Sequence, residues 1–97
     1  MIEHLVLFKV KPETPAQAVE EMLAALRGLK SLSPQILELS CGTNFSPRSQ
    51  GFTHGLRVRF ASRADLEAYA VAPEHQRVVA ELIRPIVESI LALDYEA

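Results

Sequence analysis

The sequence predicts an α+β fold in which one antiparallel sheet carries its helices on a single face. Three observations lead there. Two-residue alternation of apolar side chains marks strands at Ile2–Val10 and Phe52–Phe60. Each of those strands is followed by a capped stretch with apolar residues at helical spacing. A further strand-like run, Ile86 to Tyr95, follows a helix-breaking Pro85.

The elements follow in order. Ile2, His4, Val6, Phe8 and Val10 share one strand face, and Glu3, Leu5, Leu7 and Lys9 share the other. Lys11-Pro12-Glu13 ends this strand. Thr14 reads as an N-cap, with Pro15 at the first helical position and Gln17 completing a capping box. Val19, Met22, Leu23 and Leu26 continue the helix, and Gly28 marks its expected stop. Ser33-Pro34 leads into a second strand, Ile36 to Cys41, which Gly42-Thr43-Asn44 terminates. Residues 44 to 51 form a long loop rich in turn formers. In the strand Phe52 to Phe60, His54, Leu56 and Val58 share the face of both phenylalanines, opposite Thr53, Gly55, Arg57 and Arg59. Ser62 with Asp65 is a second capping box, opening a short helix through Leu66, Tyr69 and Ala70. Ala72-Pro73 interrupts it, and His75, Val78, Val79, Leu82 and Ile83 form the stripe of a further helix.

The order is therefore βαββαβ. Right-handed crossovers turn it into a ferredoxin-like plait, a four-stranded antiparallel sheet with its helices on one face. Leu5, Leu7, Leu37, Leu39 and Cys41 are expected on the other face, mixed with Arg57 and Arg59. A face that is half apolar and half charged suits a two-fold contact with another sheet, so pairing as a homodimeric α/β barrel is expected.

With 97 residues there is room for a single domain, 1–97, burying roughly 64% of its unfolded surface. Lys and Arg number 10 against 12 Asp and Glu, interspersed, so no basic stripe tracks a phosphate backbone or a membrane surface. Nucleic acid and membrane are excluded as expected partners. Gly55-Leu56-Arg57-Val58-Arg59-Phe60 superficially echoes an RNA-binding strand, but its aromatics fall on the wrong face for base stacking. Cys41 is the single cysteine, which fits a reduced, cytoplasmic setting; neither a signal peptide nor an apolar run of ~20 residues is read.

Several segments resemble the stress-responsive dimeric α/β-barrel family. They are His4-Leu5-Val6-Leu7-Phe8-Lys9, Phe52-Thr53-His54-Gly55-Leu56, Ser62 through Leu66, Tyr69, Pro73-Glu74-His75 and the closing Asp94-Tyr95. The resemblance spans nearly the whole chain and implies the plait and the dimer. Members include stress-induced proteins with no assigned reaction and a plant polyketide cyclase that closes a ring by aldol condensation. The cyclase pattern carries over to His4, His54, Tyr69 and His75 as candidate catalytic residues. The present sequence departs from it in Ala72, which replaces a histidine before Pro73, and in Gly55-Leu56-Arg57, which replaces a bulkier run. Val19, Met22 and Leu23 stand where aromatic residues shape that pocket.

On this reading His75 is a general acid or base, and Tyr69 orients a substrate carbonyl or His75 itself. A core tyrosine and a helix-start histidine holding the Pro73 kink are the plain structural alternatives. His4 and His54 replace apolar residues on strand faces expected to be buried. Their strands run antiparallel, so an offset of four residues separates them by ~13 Å unless the register shifts. Val6, Phe8, Leu56, Val78, Val79 and Leu82 are the expected ligand-binding wall, suited to a small apolar compound with a carbonyl or carboxylate head. The three histidines lack a local metal-ligand spacing, so no metal and no cofactor is expected. Cys41 reads as a small buried hydrophobe. Arg57 and Arg59 are expected to pair across the dimer with acids such as Glu38. Two functions follow. One is a small-molecule pocket with cyclase- or lyase-type proton transfer through His75; the other is a non-enzymatic, stress-related binding or structural dimer.

Overall fold

A computed structural model describes Met1 through Ala97. The chain runs β1 (Ile2–Val10), α1 (Ala16–Leu32), β2 (Ile36–Thr43), β3 (His54–Phe60), α2 (Arg63–Val71) and α3 (Pro73–Val78), then a π-helical turn (Val79–Ile83) and β4 (Val87–Glu96). The strands lie in the order β2-β3-β1-β4 with every neighbouring pair antiparallel. This is the ferredoxin-like plait expected from the βαββαβ order.

Alternation on the two central strands builds the core. Ile2, Val6, Phe8 and Val10 of β1 and Leu56, Val58 and Phe60 of β3 are all buried beneath the helices. Met22, Leu23, Leu26 and Leu29 of α1 recur at helical spacing and seal that face, joined by Tyr69, Val78 and Ile83. The helix does not stop at Gly28 but continues to Leu32. An interior glycine costs a helix about 1 kcal/mol. Burying Leu29 completely, worth about 1.5–3 kcal/mol, outweighs it.

Capping departs from expectation at one end and holds at another. Pro15, not Thr14, occupies the N-cap of α1, and no side chain caps it. The Thr14 amide is spent on a turn to Lys11 O at 3.1 Å, while Gln17 Nε2 donates to Glu21 one turn along. Ser62 does cap α2, its Oγ accepting from the Asp65 amide at 3.2 Å.

The sharpest difference lies in β2. Ile36 pairs with Phe60 while Glu38 pairs with Arg59, so Leu37 is an extra residue in a β-bulge. The bulge turns over everything after it. Leu39 and Cys41, expected on the open face, instead pair with Val58 and Leu56 and pack towards the helices. Cys41 Sγ lies 3.8 Å from Leu23 O, and burial pushes its thiol pKa up against the opposing pull of Arg27. Leu37 remains exposed.

The open face carries Leu5, Leu7, Leu91, Leu93 and Tyr95. Leu91 and Leu93 are 52% and 59% exposed, a large apolar display for a sheet face. Beside them the arginines pair within the chain rather than reserving themselves for a dimer partner. Glu3 takes Arg57 Nε at 3.0 Å and Arg59 Nε at 2.9 Å, and Glu38 takes Arg57 Nη1 at 3.1 Å. Strand adjacency explains it, since Glu38 and Glu3 flank Arg59 across the ladder. No helix is long and apolar enough to cross a membrane.

Phe8→Ala or Val58→Ala should cost roughly 2–5 kcal/mol in urea unfolding, the usual range for emptying a core position. Both side chains are buried beneath the helices. A silent result at either would mean that the core does not depend on this face of the sheet.

Candidate functional site

Polar groups interrupt the apolar helix-side face where β1 begins and β4 ends. His4 lies directly opposite Asp94 in the β1–β4 ladder, and its Nδ1 contacts Asp94 Oδ1. A carboxylate only accepts, so it is Nδ1 of His4 that carries a proton towards Asp94. The His4 and Tyr69 ring centroids lie 6.3 Å apart, and Tyr69 lies 5.2 Å from Phe60 and 4.3 Å from His75. Three elements thus deliver His4, Tyr69 and His75 to one spot.

The break at Pro73 sets the orientation of His75. Ala72, preceding proline, adopts extended geometry (φ −64°, ψ 139°) and ends α2. The Ala70 carbonyl at that end accepts from His75 Nδ1 at 3.1 Å and from Gln76 Nε2 at 2.8 Å. The His75 proton therefore sits on Nδ1, leaving Nε2 with the lone pair. Burial lowers the His75 pKa from its ordinary 6.5; the Ala70 bond opposes that shift and nearby His4 adds to it. His75 is a neutral base at physiological pH.

Tyr69 is only 1% exposed, and its buried hydroxyl has no hydrogen-bond partner. Leaving such a group unpaired costs about 1–3 kcal/mol. Burial pushes its pKa up to about 12, so it remains a phenol and a donor. Together, a phenol that donates and a neutral imidazole that accepts can polarise a carbonyl and take a proton from its neighbouring carbon.

His54 is not brought to this cluster. The register pairs His4 with Val58 and Phe8 with His54, an offset worth ~13 Å along the strand. His54 is buried with Nδ1 2.7 Å from Thr53 Oγ1, and that hydroxyl also accepts from the Val10 amide at 3.1 Å. Burial lowers the His54 pKa, opposed by Glu20.

Of the expected wall, Val6, Phe8, Leu56 and Val78 are packed into the core, while Val79 and Leu82 are half-buried. The larger cavity, about 470 Å³, opens instead on the other sheet face, where Leu5, Leu7, Gly42, Gly55, Leu56 and Arg57 border it. A smaller one of about 340 Å³ has Asp94 on its wall with Ile2, Leu66 and Tyr95. No three His, Cys, Asp or Glu side chains converge on a point that could hold a metal ion.

Asp94 is the site residue that sequence reasoning passed over. Its signal is parity, since Ile90, Ala92 and Asp94 alternate towards the helix side and Asp94 is an acid in a mostly apolar run.

The comparisons with known proteins agree with this architecture. The family model for the stress responsive A/B barrel domain matches residues 2–97. A stress-response A/B barrel domain-containing protein of Arabidopsis thaliana is 39% identical over the whole chain. The chain spans 37% of that relative's length. Olivetolic acid cyclase of Cannabis sativa is 25% identical over 97% of this chain and 94% of its own length. Among solved structures, the hydroxynitrile lyase of Passiflora edulis superposes with a TM-score of 0.88 at 26% identity, over 97% of this chain and 90% of that one. A dimeric ferredoxin-like protein of unknown function from Jannaschia sp. CCS1 gives 0.81 at 33% identity, over 99% and 98%. With a match running from the first strand to the last, this chain belongs to the stress-responsive A/B barrel domain family.

Proposed function

We propose that this domain works as a homodimer whose His4–Asp94–Tyr69–His75 cluster binds a small carbonyl compound and moves a proton on it. The observation that carries the reading is the buried, unpartnered hydroxyl of Tyr69, whose ring packs against the His75 imidazole. Tyr69 donates to the carbonyl oxygen, which acidifies the neighbouring carbon. His75 Nε2 takes that proton, forming an enolate and an imidazolium, and returns it once a carbon bond has been made or broken. Positioned acid–base groups of this kind contribute about 10²–10⁴-fold. Similar proteins bear the names of a lyase and a cyclase, which fits this class of chemistry. In this reading His54 serves the fold, tying β3 to β1 through Thr53, and the lone Cys41 fits a reducing, cytoplasmic setting.

A second reading has its own observation. Val6, Phe8 and Val78 are close-packed, and neither the 470 Å³ cavity nor the 340 Å³ one is lined by Tyr69 or His75. A non-enzymatic binding or structural dimer would need no cavity there.

Thermal shift with β-polyketones, phenolic acids and fatty acids separates the two. A ligand at a hundredfold excess over Kd should stabilise the chain by about 2.7 kcal/mol. Tyr69→Phe should keep or raise the melting temperature, because it deletes an unpaired hydroxyl, while losing the ligand-induced shift. His75→Ala should lose the shift as well. A wild-type chain that no compound stabilises, with a Tyr69→Phe variant that melts lower, would leave the non-enzymatic reading standing.

The dimer rests on the open apolar sheet face and on similar structures described as dimeric. Sedimentation at micromolar concentration should give twice the chain mass of 10.7 kDa. A folded monomer would contradict it.

A further inference from the structure

The break between α2 and α3 leaves one carbonyl with two side-chain partners. Ala72 adopts extended geometry before Pro73, so α2 ends there, and the proline brings no amide proton of its own. A helix that stops leaves its last carbonyls without partners inside the helix. The Ala70 carbonyl, near that end, is met by consecutive side chains from the first turn of α3. His75 Nδ1 lies 3.1 Å from it and Gln76 Nε2 lies 2.8 Å from it.

Adjacent residues of a helix do not face one another. Their side chains lean towards the N-terminus, however, so they can converge on an acceptor placed just ahead of the first turn. The extended step at Ala72 puts the Ala70 oxygen there. A carbonyl oxygen has two lone pairs, so it holds both donors at once.

The two bonds have different consequences. The one from His75 puts its proton on Nδ1 and leaves Nε2 bare. It is the only hydrogen bond that the His75 ring makes, so the choice of tautomer hangs on this single acceptor. Tyr69 meets the same imidazole through its ring, centroid to centroid at 4.3 Å. Gln76, by contrast, is exposed and takes no part in the core. Its side-chain amide bonds to the Ala70 oxygen alone, and that bond is the shorter of the two.

We propose that Gln76 is a positioning residue for His75: by donating to the Ala70 carbonyl it holds that oxygen in place as the acceptor for Nδ1–H, and so fixes Nε2 as the nitrogen that takes a proton from the substrate. The inference rests on the reading of His75 as the base and adds the residue that decides which of its nitrogens is basic. Gln76 touches no reacting atom; it acts through the backbone at the helix break.

The test is nitrogen-15 NMR of His75 in the full chain, recorded where the ring is neutral, with thermal unfolding measured beside it. Gln76→Met keeps the length of the side chain and deletes the donor. The ratio of Nδ1–H to Nε2–H rings should then fall roughly fivefold, the equivalent of one hydrogen bond of ordinary strength. Gln76→Lys returns a donor of similar reach and should bring the ratio back. An unchanged ratio in Gln76→Met overturns the inference, even where the variant melts lower, because a residue that only caps the broken helix would behave that way. A ratio that falls in Gln76→Met and stays low in Gln76→Lys overturns it too, since the donor would then not be the cause. A wild-type ring that already carries its proton on Nε2 removes the reading of His75 as a base at that nitrogen. A wild-type Nδ1–H ring that is indifferent to Gln76→Met removes this inference alone.

Discussion

Alternation along β1 divides its side chains between two environments, and the other features take their places from that division. Ile2, Val6, Phe8 and Val10 go beneath the helices, whereas Leu5 and Leu7 face away from them. Because β1 is central, with β3 on one side and β4 on the other, its parity dictates the parity of both neighbours. A one-residue slip would exchange the two faces completely. Buried Phe8, Val58 and Phe60 make that slip expensive, since each would move from a packed core to the uncovered face.

Within that frame His4 is an imidazole at a position whose neighbours on the same strand face are all apolar, and the surroundings supply polar company. Asp94 arrives from β4 by direct cross-strand pairing, and Tyr69 and His75 arrive from either side of the Pro73 break. Concentrating polar groups where packing alone would favour leucine or valine lowers stability. The unpartnered Tyr69 hydroxyl is the plainest instance. Such local conflicts with an otherwise consistent pattern cluster at functional sites, which gives the cluster its interest.

Strand alternation and helix spacing were enough to read the element order, the two sheet faces on β1 and β3, and most of the core. What escaped depended on partners distant in sequence. The Leu37 bulge reverses Leu39 and Cys41, but an extra residue leaves no mark in a strand pattern until its ladder partner is known. Gly28 looks like a helix end until Leu29 is seen to be buried. The three histidines and Tyr69 were legible as candidates, yet register decides that His4 joins Tyr69 and His75 while His54 stays at the far end. Asp94 needed the β1–β4 register, although its parity already separated it from Tyr95 and Leu93.

The proposed chemistry depends on His75 being held as a neutral base with its proton on Nδ1. Nitrogen-15 NMR of the histidine side chains across a pH titration measures both the tautomer and the pKa. The Nδ1–H tautomer is expected at pH 7, with Nε2 unprotonated and a midpoint below the ordinary 6.5 because burial disfavours the charged ring. A His75 ring that is doubly protonated at pH 7, or that carries its proton on Nε2, would contradict it.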